Sequence, residues 1–241
     1  MSKTLQNWID SDVASVKDQP VKWRSEHYFF RDPMRPIYSD TSTFFSPADG
    51  IILYQKTVHP AETLVEIKGS NYTLQQAMRN ASYDRPSLVI GVFMTFYDVH
   101  VNRVSYPGRL SYKELEPIHS LNYPMLDVEK GILDDLLIDL EPAEYLHYNQ
   151  RMLNRVHAPI LGETYYILQI ADYDVDRITP FGLKQNQPYF QNQRFSQIQY
   201  GSQVDLIVPL SNNYDLALIQ PAGMHVEAGI DGLIKISEKS S

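Results

Sequence analysis

Residues 88–97 are the longest strongly apolar stretch of the chain, reading Leu88-Val89-Ile90-Gly91-Val92-Phe93-Met94-Thr95-Phe96-Tyr97. A helix that crosses a bilayer needs about 20 such residues, so this run is far too short to span one. Its β-branched and aromatic content instead predicts a buried strand. From Phe44 onward the same grammar repeats, with short β-type runs alternating with turn residues. Ser46-Pro47-Ala48-Asp49-Gly50 reads as a turn, and Ile51-Ile52-Leu53-Tyr54 leaves it as a strand. Residues 165–170 and 204–210 read as further strands. The tail from Leu216 through Gly223, Gly229 and Gly232 to Ile236 reads as small strands joined by turns. Helical signals are fewer. Thr73 is placed to cap a short helix over 73–80. Residues 125–140 give the clearest helix, with Ile132, Leu133, Leu136, Leu137 and Leu140 sharing one face as expected core. Leu5, Trp8, Ile9, Val13 and Val16 predict a modest amphipathic N-terminal helix that packs on the body, with a surface anchor as the alternative that its acidic polar face disfavours. Residues 20–43 read as irregular, punctuated by Pro33 and Pro36. The pattern predicts an α+β fold: a mainly antiparallel β core with a few flanking helices, in one domain over 1–241 with a lead-in over 1–43.

Charge and composition narrow the function. The net charge of −8 argues against a nucleic-acid binder, which needs clustered Lys and Arg. There is no cysteine, which excludes disulfides and thiolate chemistry. The seven histidines show no ligand spacing, so no metal site is expected. Residues 1–20 are polar and carry Asp10, Asp12 and Asp18, unlike a signal peptide. The expectation is a cytoplasmic protein without a transmembrane segment, peripheral to a membrane if it meets one.

Three places could carry chemistry. Gly201-Ser202 alone reads as a turn between strands. A glycine carbonyl is nevertheless open to attack, and a serine hydroxyl becomes a nucleophile when a base or strain helps it. His100 follows the strand over 88–97. Read on its own it is either a structural histidine or a proton carrier, since its ordinary pKa lies near neutrality. Asp49, in an Asp-Gly turn, is either a turn aspartate bonding its own backbone or a functional carboxylate.

Taken together and in order, the segments are more specific. Phe45-Ser46-Pro47-Ala48-Asp49-Gly50 is followed by Lys68-Gly69 with Tyr72-Thr73-Leu74, then Asp98-Val99-His100-Val101-Asn102-Arg103, then Arg194-Phe195-Ser196-Gln197-Ile198-Gln199-Tyr200-Gly201-Ser202-Gln203-Val204-Asp205. This series resembles the phosphatidylserine decarboxylase proenzyme family, and its Gly-Ser-x-Val-Asp motif resembles that of the family's shorter branch. Phe29-Phe30-Arg31-Asp32-Pro33 with Arg35-Pro36-Ile37, and Gln169-Ile170-Ala171 with Arg177-Ile178, extend the resemblance over about residues 28–210, with a continuation to Ile236.

The resemblance implies a chain that cuts itself before Ser202, giving a β chain over 1–201 and an α chain over 202–241. The Ser202 hydroxyl would attack the Gly201 carbonyl and form an ester. Elimination and loss of ammonia would then leave a pyruvoyl group derived from Ser202. Such a ketone condenses with a primary amine to form an imine, an electron sink for decarboxylation. The implied reaction turns phosphatidylserine at a membrane surface into phosphatidylethanolamine and CO2. By the same resemblance His100 contacts the substrate carboxylate or handles a proton at the α-carbon, Asp49 belongs to an Asp-His-Ser arrangement that drives self-cleavage, and processed protomers form a homodimer.

The chain also departs from the family pattern. Arg103 stands where the long branch has a second histidine, so His100 would serve both steps with Asp49 orienting it. Arg103 stays protonated and cannot be a base. It is suited to bind a phosphate or carboxylate, or to pair with Asp98. Asp172 and Ser196 fall where glycines are expected. Residues 112–153 are longer and more polar than the matching part of the short branch and are expected to shape the substrate site. The short branch's hydrophobic membrane segments are missing. Two alternatives therefore stand beside the lipid reaction: the same chemistry on a soluble amino acid, serine derivative or peptide, and a non-catalytic relative that acts as a binding protein.

Overall fold

Nine antiparallel strands form the central sheet of the computed structural model, which describes residues 1–115, 123–172, 178–182, 184–199 and 201–239. Across the sheet the order is Lys3–Thr4, Met224–Val226, Gly50–Val58, Ser87–Met94, Ser202–Pro209, Glu163–Ala171, Arg151–Ala158, Gly108–Leu115 and Gln187–Tyr189. Every residue of Ser87–Met94 and of Ser202–Pro209 is buried. A strand covered on both faces accepts apolar residues at successive positions, so the usual two-residue alternation disappears. This is why residues 88–97 read as one continuous run. The strand itself stops at Met94, because the Asp98 carboxylate takes both the amide and the hydroxyl of Thr95 at 2.8 Å and turns the chain there.

The two faces of the sheet bury different things. On one, Ile51, Phe93, Leu168 and Ile207 pack with Trp8, Val128 and Ile132, so the helices lie on this side. On the other, Val92, Met94, Val204, Leu206 and Ile167 pack with Phe44, Phe195 and Leu233. The last three come from small sheets. Thr43–Phe45 pairs with Gly232–Glu238, and Arg194–Ile198 lies between Ile178–Pro180 and Val101–Arg103. The α+β class with a mainly antiparallel core is therefore the observed one. Among the described residues no helix is long and apolar enough to cross a membrane.

Two glycines allow close approaches that the core requires. A Cβ on Gly91 would lie 2.5 Å from the Tyr54 ring. Its absence lets the Tyr54 hydroxyl reach across the strand to Asp205 Oδ2 at 2.9 Å. Gly50 has φ 151°, and a Cβ there would lie 2.1 Å from the Phe93 carbonyl oxygen. Only glycine lets the Asp49 turn sit this close to the Ser87–Met94 strand.

The helices correct the sequence expectations in detail. The N-terminal helix forms as Leu5–Trp8, a π turn over Ile9–Val13, and Ala14–Val16, and it buries Trp8, Val13 and Val16 against the body. The lead-in is more ordered than its prolines suggested, with Val21–Trp23 helical and Arg24–Tyr28 continuing as a π turn. Thr73 caps Leu74–Ala77 in a reciprocal capping box with Gln76. The helix expected over 125–140 is only Leu126–Asp135. Leu136 adopts φ 54° and the Leu137 amide bonds the Gly131 carbonyl at 2.9 Å, closing the helix in a left-handed cap. The expected core face is cut accordingly. Ile132 is buried, but Leu136 and Leu137 are 44% and 55% exposed. Arg177 and Tyr200, two residues of the segments that carry the family resemblance, lie outside the described residues.

Candidate active site

Gly201-Ser202 enters the sheet at its centre. Ser202 is fully buried and begins the Ser202–Pro209 strand, opposite Met94 on one side and Ala171 on the other. Strand alternation points Ser202, Val204 and Leu206 to one face and Gln203 and Asp205 to the other. Asp205 of the Gly-Ser-x-Val-Asp motif thus serves the opposite core, where its carboxylate accepts from Gln203 and Tyr54. The peptide just before the strand is crowded: a Cβ on Gly201 would lie 3.1 Å from Asp172 Oδ2. Asp172 is itself held in place, since its Oδ1 accepts from the Met125 amide at 2.9 Å.

His100 lies beyond the turn that follows Met94. Its Nε2 meets the Thr95 carbonyl at 2.9 Å, and its ring stacks on Phe29 with centroids 4.1 Å apart. A carbonyl only accepts, so in the neutral ring Nε2 carries the hydrogen and Nδ1 the lone pair. That Nδ1 is buried and has no hydrogen-bond partner among the described residues. Burial, opposed by the Thr95 carbonyl and the Asp98 charge, pushes the His100 pKa down to about 4. The imidazole is therefore a neutral acceptor at physiological pH. Its main-chain carbonyl also accepts from the Ile198 amide at 3.0 Å, which ties it to the segment leading into Gly201.

Asp98 joins this group to a second histidine. Its Oδ1 stands 2.7 Å from His225 Nε2, while Oδ2 holds Thr95. Burial acts to raise the Asp98 pKa, but His225 and the Thr95 donors outweigh it and hold the carboxyl below its ordinary value. For His225 burial acts to lower the pKa, and Asp98 overcomes it and raises the imidazole above its ordinary value. Trp8 stacks on the ring at 4.9 Å, with 13° between the planes.

Asp49 takes partners other than His100. Its Oδ2 pairs with Arg35 at 2.8 Å, and its Oδ1 accepts from the Ala228 amide at 2.7 Å. Burial raises its pKa to about 6 against the opposing pull of Arg35. The expectation that Asp49 orients His100 is thus not what the hydrogen bonds show. Asp49 instead shares a cavity of about 360 Å³ with Asp98, His225, Arg31 and Arg35.

Comparison with known proteins supplies the family. The family profile described as phosphatidylserine decarboxylase matches residues 27–230. The chain belongs to the phosphatidylserine decarboxylase family. It is 31% identical over 212 residues to a phosphatidylserine decarboxylase proenzyme of Erythrobacter litoralis, covering 87% of this chain and 72% of that protein. It is 30% identical over 210 residues to one of Novosphingobium aromaticivorans, covering 87% and 71%. It also matches one of Cupriavidus taiwanensis at 28% over 183 residues, covering 76% and 67%.

As a decarboxylase-family chain it carries Arg103 in an unexpected setting. The guanidinium pairs with Asp32 at 3.1 Å and donates to the carbonyls of Asn192 and Pro33. It does not pair with Asp98. Burial lowers its pKa from the ordinary value. Arg103 lines a separate cavity of about 550 Å³ together with Asp32, Arg194 and Phe181.

Several groups at the site carried no sequence signal. His225 sits on a three-residue strand 127 positions from its partner Asp98, and nothing in its neighbours marks it. Glu129 comes from the Leu126–Asp135 helix, and its Oε1 accepts from the Phe96 amide at 2.7 Å. Burial, helped by the charges of Asp98 and Asp172, pushes its pKa up to about 7. The pyruvoyl group that the family implies would form from Ser202 itself. The surroundings suit a sequestered ketone there, since the residue is fully buried.

Proposed function

We propose that this chain cleaves itself between Gly201 and Ser202 and then decarboxylates the serine headgroup of phosphatidylserine. The observation that supports the reading is the fully buried Ser202 following a glycine, with His100, whose main-chain carbonyl accepts from the Ile198 amide four residues before Ser202, held neutral and its Nδ1 without a hydrogen-bond partner among the described residues. In self-cleavage the Ser202 Oγ attacks the Gly201 carbonyl carbon. Its proton passes to a base, for which His100 Nδ1 is our assignment, and collapse of the adduct breaks the C–N bond. The amide becomes an ester between Gly201 and the Ser202 side chain. Loss of the proton from the Ser202 α-carbon expels Gly201 as a carboxylate, and water replaces the nitrogen, which leaves as ammonia.

A pyruvoyl group at Ser202 would supply the electrophilic carbonyl and electron sink that decarboxylation of an amino carboxylate needs. The chain's own residues do the rest. The enclosed position of Ser202 excludes bulk water. His100 Nδ1 takes the proton that the substrate ammonium gives up on binding and delivers it to the substrate α-carbon after CO2 leaves. Asp49, a carboxyl with a raised pKa in the 360 Å³ cavity, and the Asp98–His225 pair supply the proton-exchanging wall of the approach. Arg103 lines the neighbouring cavity, where its positive charge would meet the anionic part of the headgroup.

Access from a membrane surface is supported by the lead-in and its neighbours. Val21, Phe30, Met34 and Ile37 are exposed, and so is Phe181 across the 550 Å³ cavity from Met34 and Ile37. In this reading the processed chains pair as a dimer peripheral to the membrane. The net charge of −8 favours a second reading, in which the same chemistry acts on a water-soluble serine derivative. Turnover of phosphatidylserine in vesicles compared with O-phosphoserine separates the two.

Denaturing intact-mass measurement of the wild-type chain and of Ser202→Ala tests the core of the proposal. The wild type should give two fragments meeting at Gly201 and Ser202, the smaller one blocked by a ketone at its N-terminus. Ser202→Ala should give one uncut mass and no CO2 release. An uncut wild type, or normal cleavage of Ser202→Ala, overturns the reading.

A further inference from the structure

A chain of buried amides crosses the sheet on the Ser202 face and ends in an under-used donor. Asn154 Nδ2 donates to the Ile167 carbonyl at 3.0 Å and to Gln169 Oε1 at 2.9 Å. Gln169 Nε2 donates to Asn102 Oδ1 at 2.6 Å. Asn102 Nδ2 then faces only the Met94 thioether, at 3.6 Å. All three amide side chains are buried, with Asn102 and Gln169 at 0% exposure. The direction of this chain is fixed at its start. The Ile167 carbonyl can only accept, so Asn154 must present its nitrogen there, and each amide in turn must receive on oxygen and give on nitrogen. Asn102 is therefore left with N–H groups to offer and a sulfur, a weak acceptor, to offer them to.

Sheet topology shows where that donor sits. Met94 belongs to the strand on one side of Ser202–Pro209 and Gln169 to the strand on the other. Met94 is opposite Ser202, and Gln169 is opposite Val204. These side chains share one face, and Asn102 touches both. Its amide consequently lies across the Ser202–Pro209 strand, over the step from Ser202 to Val204. The Val101–Arg103 strand that carries it pairs with Arg194–Ile198, whose continuation is the Gly201-Ser202 peptide, with Asn102 in register with Ser196.

We propose that Asn102 is a catalytic residue of self-cleavage, donating its side-chain N–H to the Gly201 oxygen as that oxygen gains charge, with Gln169 and Asn154 as the positioning residues that hold it in donor orientation. The proposal rests on the self-cleavage reading above and adds to it. When Ser202 Oγ bonds to the Gly201 carbon, the C=O π pair moves onto oxygen while the Oγ proton leaves to the base. A fixed, dehydrated N–H stabilises such an oxyanion without having to reorganise. A thioether contact at rest is what such a donor has before the better acceptor appears.

Asn102→Asp is the test, read as the rate of self-cleavage of freshly synthesised chain by intact mass at several pH values. An ionised carboxylate cannot donate, whereas a protonated one can. Loss of one oxyanion donor costs about 10²–10³-fold in rate, so cleavage of Asn102→Asp should fall by that much at pH 8. It should recover as the pH is lowered towards 5.5, with the thermal midpoint at pH 8 near that of the wild type. Gln169→Glu approaches from the other side. Its carboxylate still accepts from Asn154 but offers Asn102 no donor, which turns Oδ1 towards Ser202 and slows cleavage. Wild-type rates at pH 8 in whichever of these two chains folds, or slow cleavage of Asn102→Asp with no pH recovery, overturn the assignment. An uncut wild-type chain under the same conditions instead marks failure of the self-cleavage reading itself.

Discussion

His100 is held neutral by its surroundings, and this has a measurable cost in acid. Burial pushes its pKa down to about 4, while the unfolded chain would bind the proton at the ordinary value of 6.5. Between these values the unfolded state binds more protons than the folded one. Stability is therefore fully retained above about pH 6.5 and lost as the pH falls through about 4. Over the whole window the loss amounts to roughly 3 kcal/mol, since each pKa unit is worth about 1.4 kcal/mol. Asp49 and Asp205 act in the opposite direction, because their raised pKa values of about 6 favour the folded state as the pH falls from 6 to 4. The difference between Ser202→Ala and the double variant Ser202→Ala/His100→Gln, both uncut, isolates the histidine. Urea unfolding of both chains at pH 7 and pH 4.5 should show a smaller acid loss in the double variant. An equal acid loss in the two chains would mean that the imidazole titrates normally in the fold.

At the scale of elements, the Leu126–Asp135 helix shows what the sequence could and could not say. Its apolar spacing is regular through Leu140, and periodicity alone extends the helix that far. The stop depends on one residue in a backbone conformation that L side chains rarely take, Leu136 at φ 54°. No glycine or asparagine announces it. Replacing a left-handed Leu by glycine relieves about 1 kcal/mol of strain, and Leu136 is 44% exposed, so little burial is forfeited. Leu136→Gly should raise the unfolding free energy by roughly 1 kcal/mol, seen as a higher urea midpoint at unchanged slope. A lower midpoint would mean that the Leu136 side chain contributes packing that outweighs the strain. Strands were easier to read, since the buried runs ending at Met94 and Pro209 announce themselves by composition. Gly201-Ser202, Asp49 and His100 stand out in the sequence as candidates because their residue types sit in compact local motifs. Asn102 with Gln169, and Asp98 with His225, are pairs 67 and 127 positions apart. Each contact exists only once the strand order and register are set, and no local pattern carries that information.

Across the whole molecule, the proposed cut falls at a point where the fold keeps its two products joined. The Ser202–Pro209 strand is bonded to Ser87–Met94 on one edge and to Glu163–Ala171 on the other. Met224–Val226 lies between Lys3–Thr4 and Gly50–Val58, and Gly232–Glu238 pairs with Thr43–Phe45. Residues 202–239 thus join the preceding chain through three separate strands, the first wholly buried. Removing that segment would expose both cores at the centre of the sheet, including Val204, Leu206, Ile207 and Val208, each worth roughly 2 kcal/mol of apolar burial. The His225–Asp98 pair and the Trp8 stack tie the same segment to the turn that follows Met94 and to the N-terminal helix. Processing should therefore change the covalent structure while leaving the fold intact. Native size-exclusion chromatography of the processed protein should keep both fragments in one peak, and they should separate only in denaturant. Release of the smaller fragment in native buffer would show that the Gly201–Ser202 bond itself holds the sheet together. The strand would then need the peptide link to stay in register, and the ketone could not be held at the centre of the site after the cut.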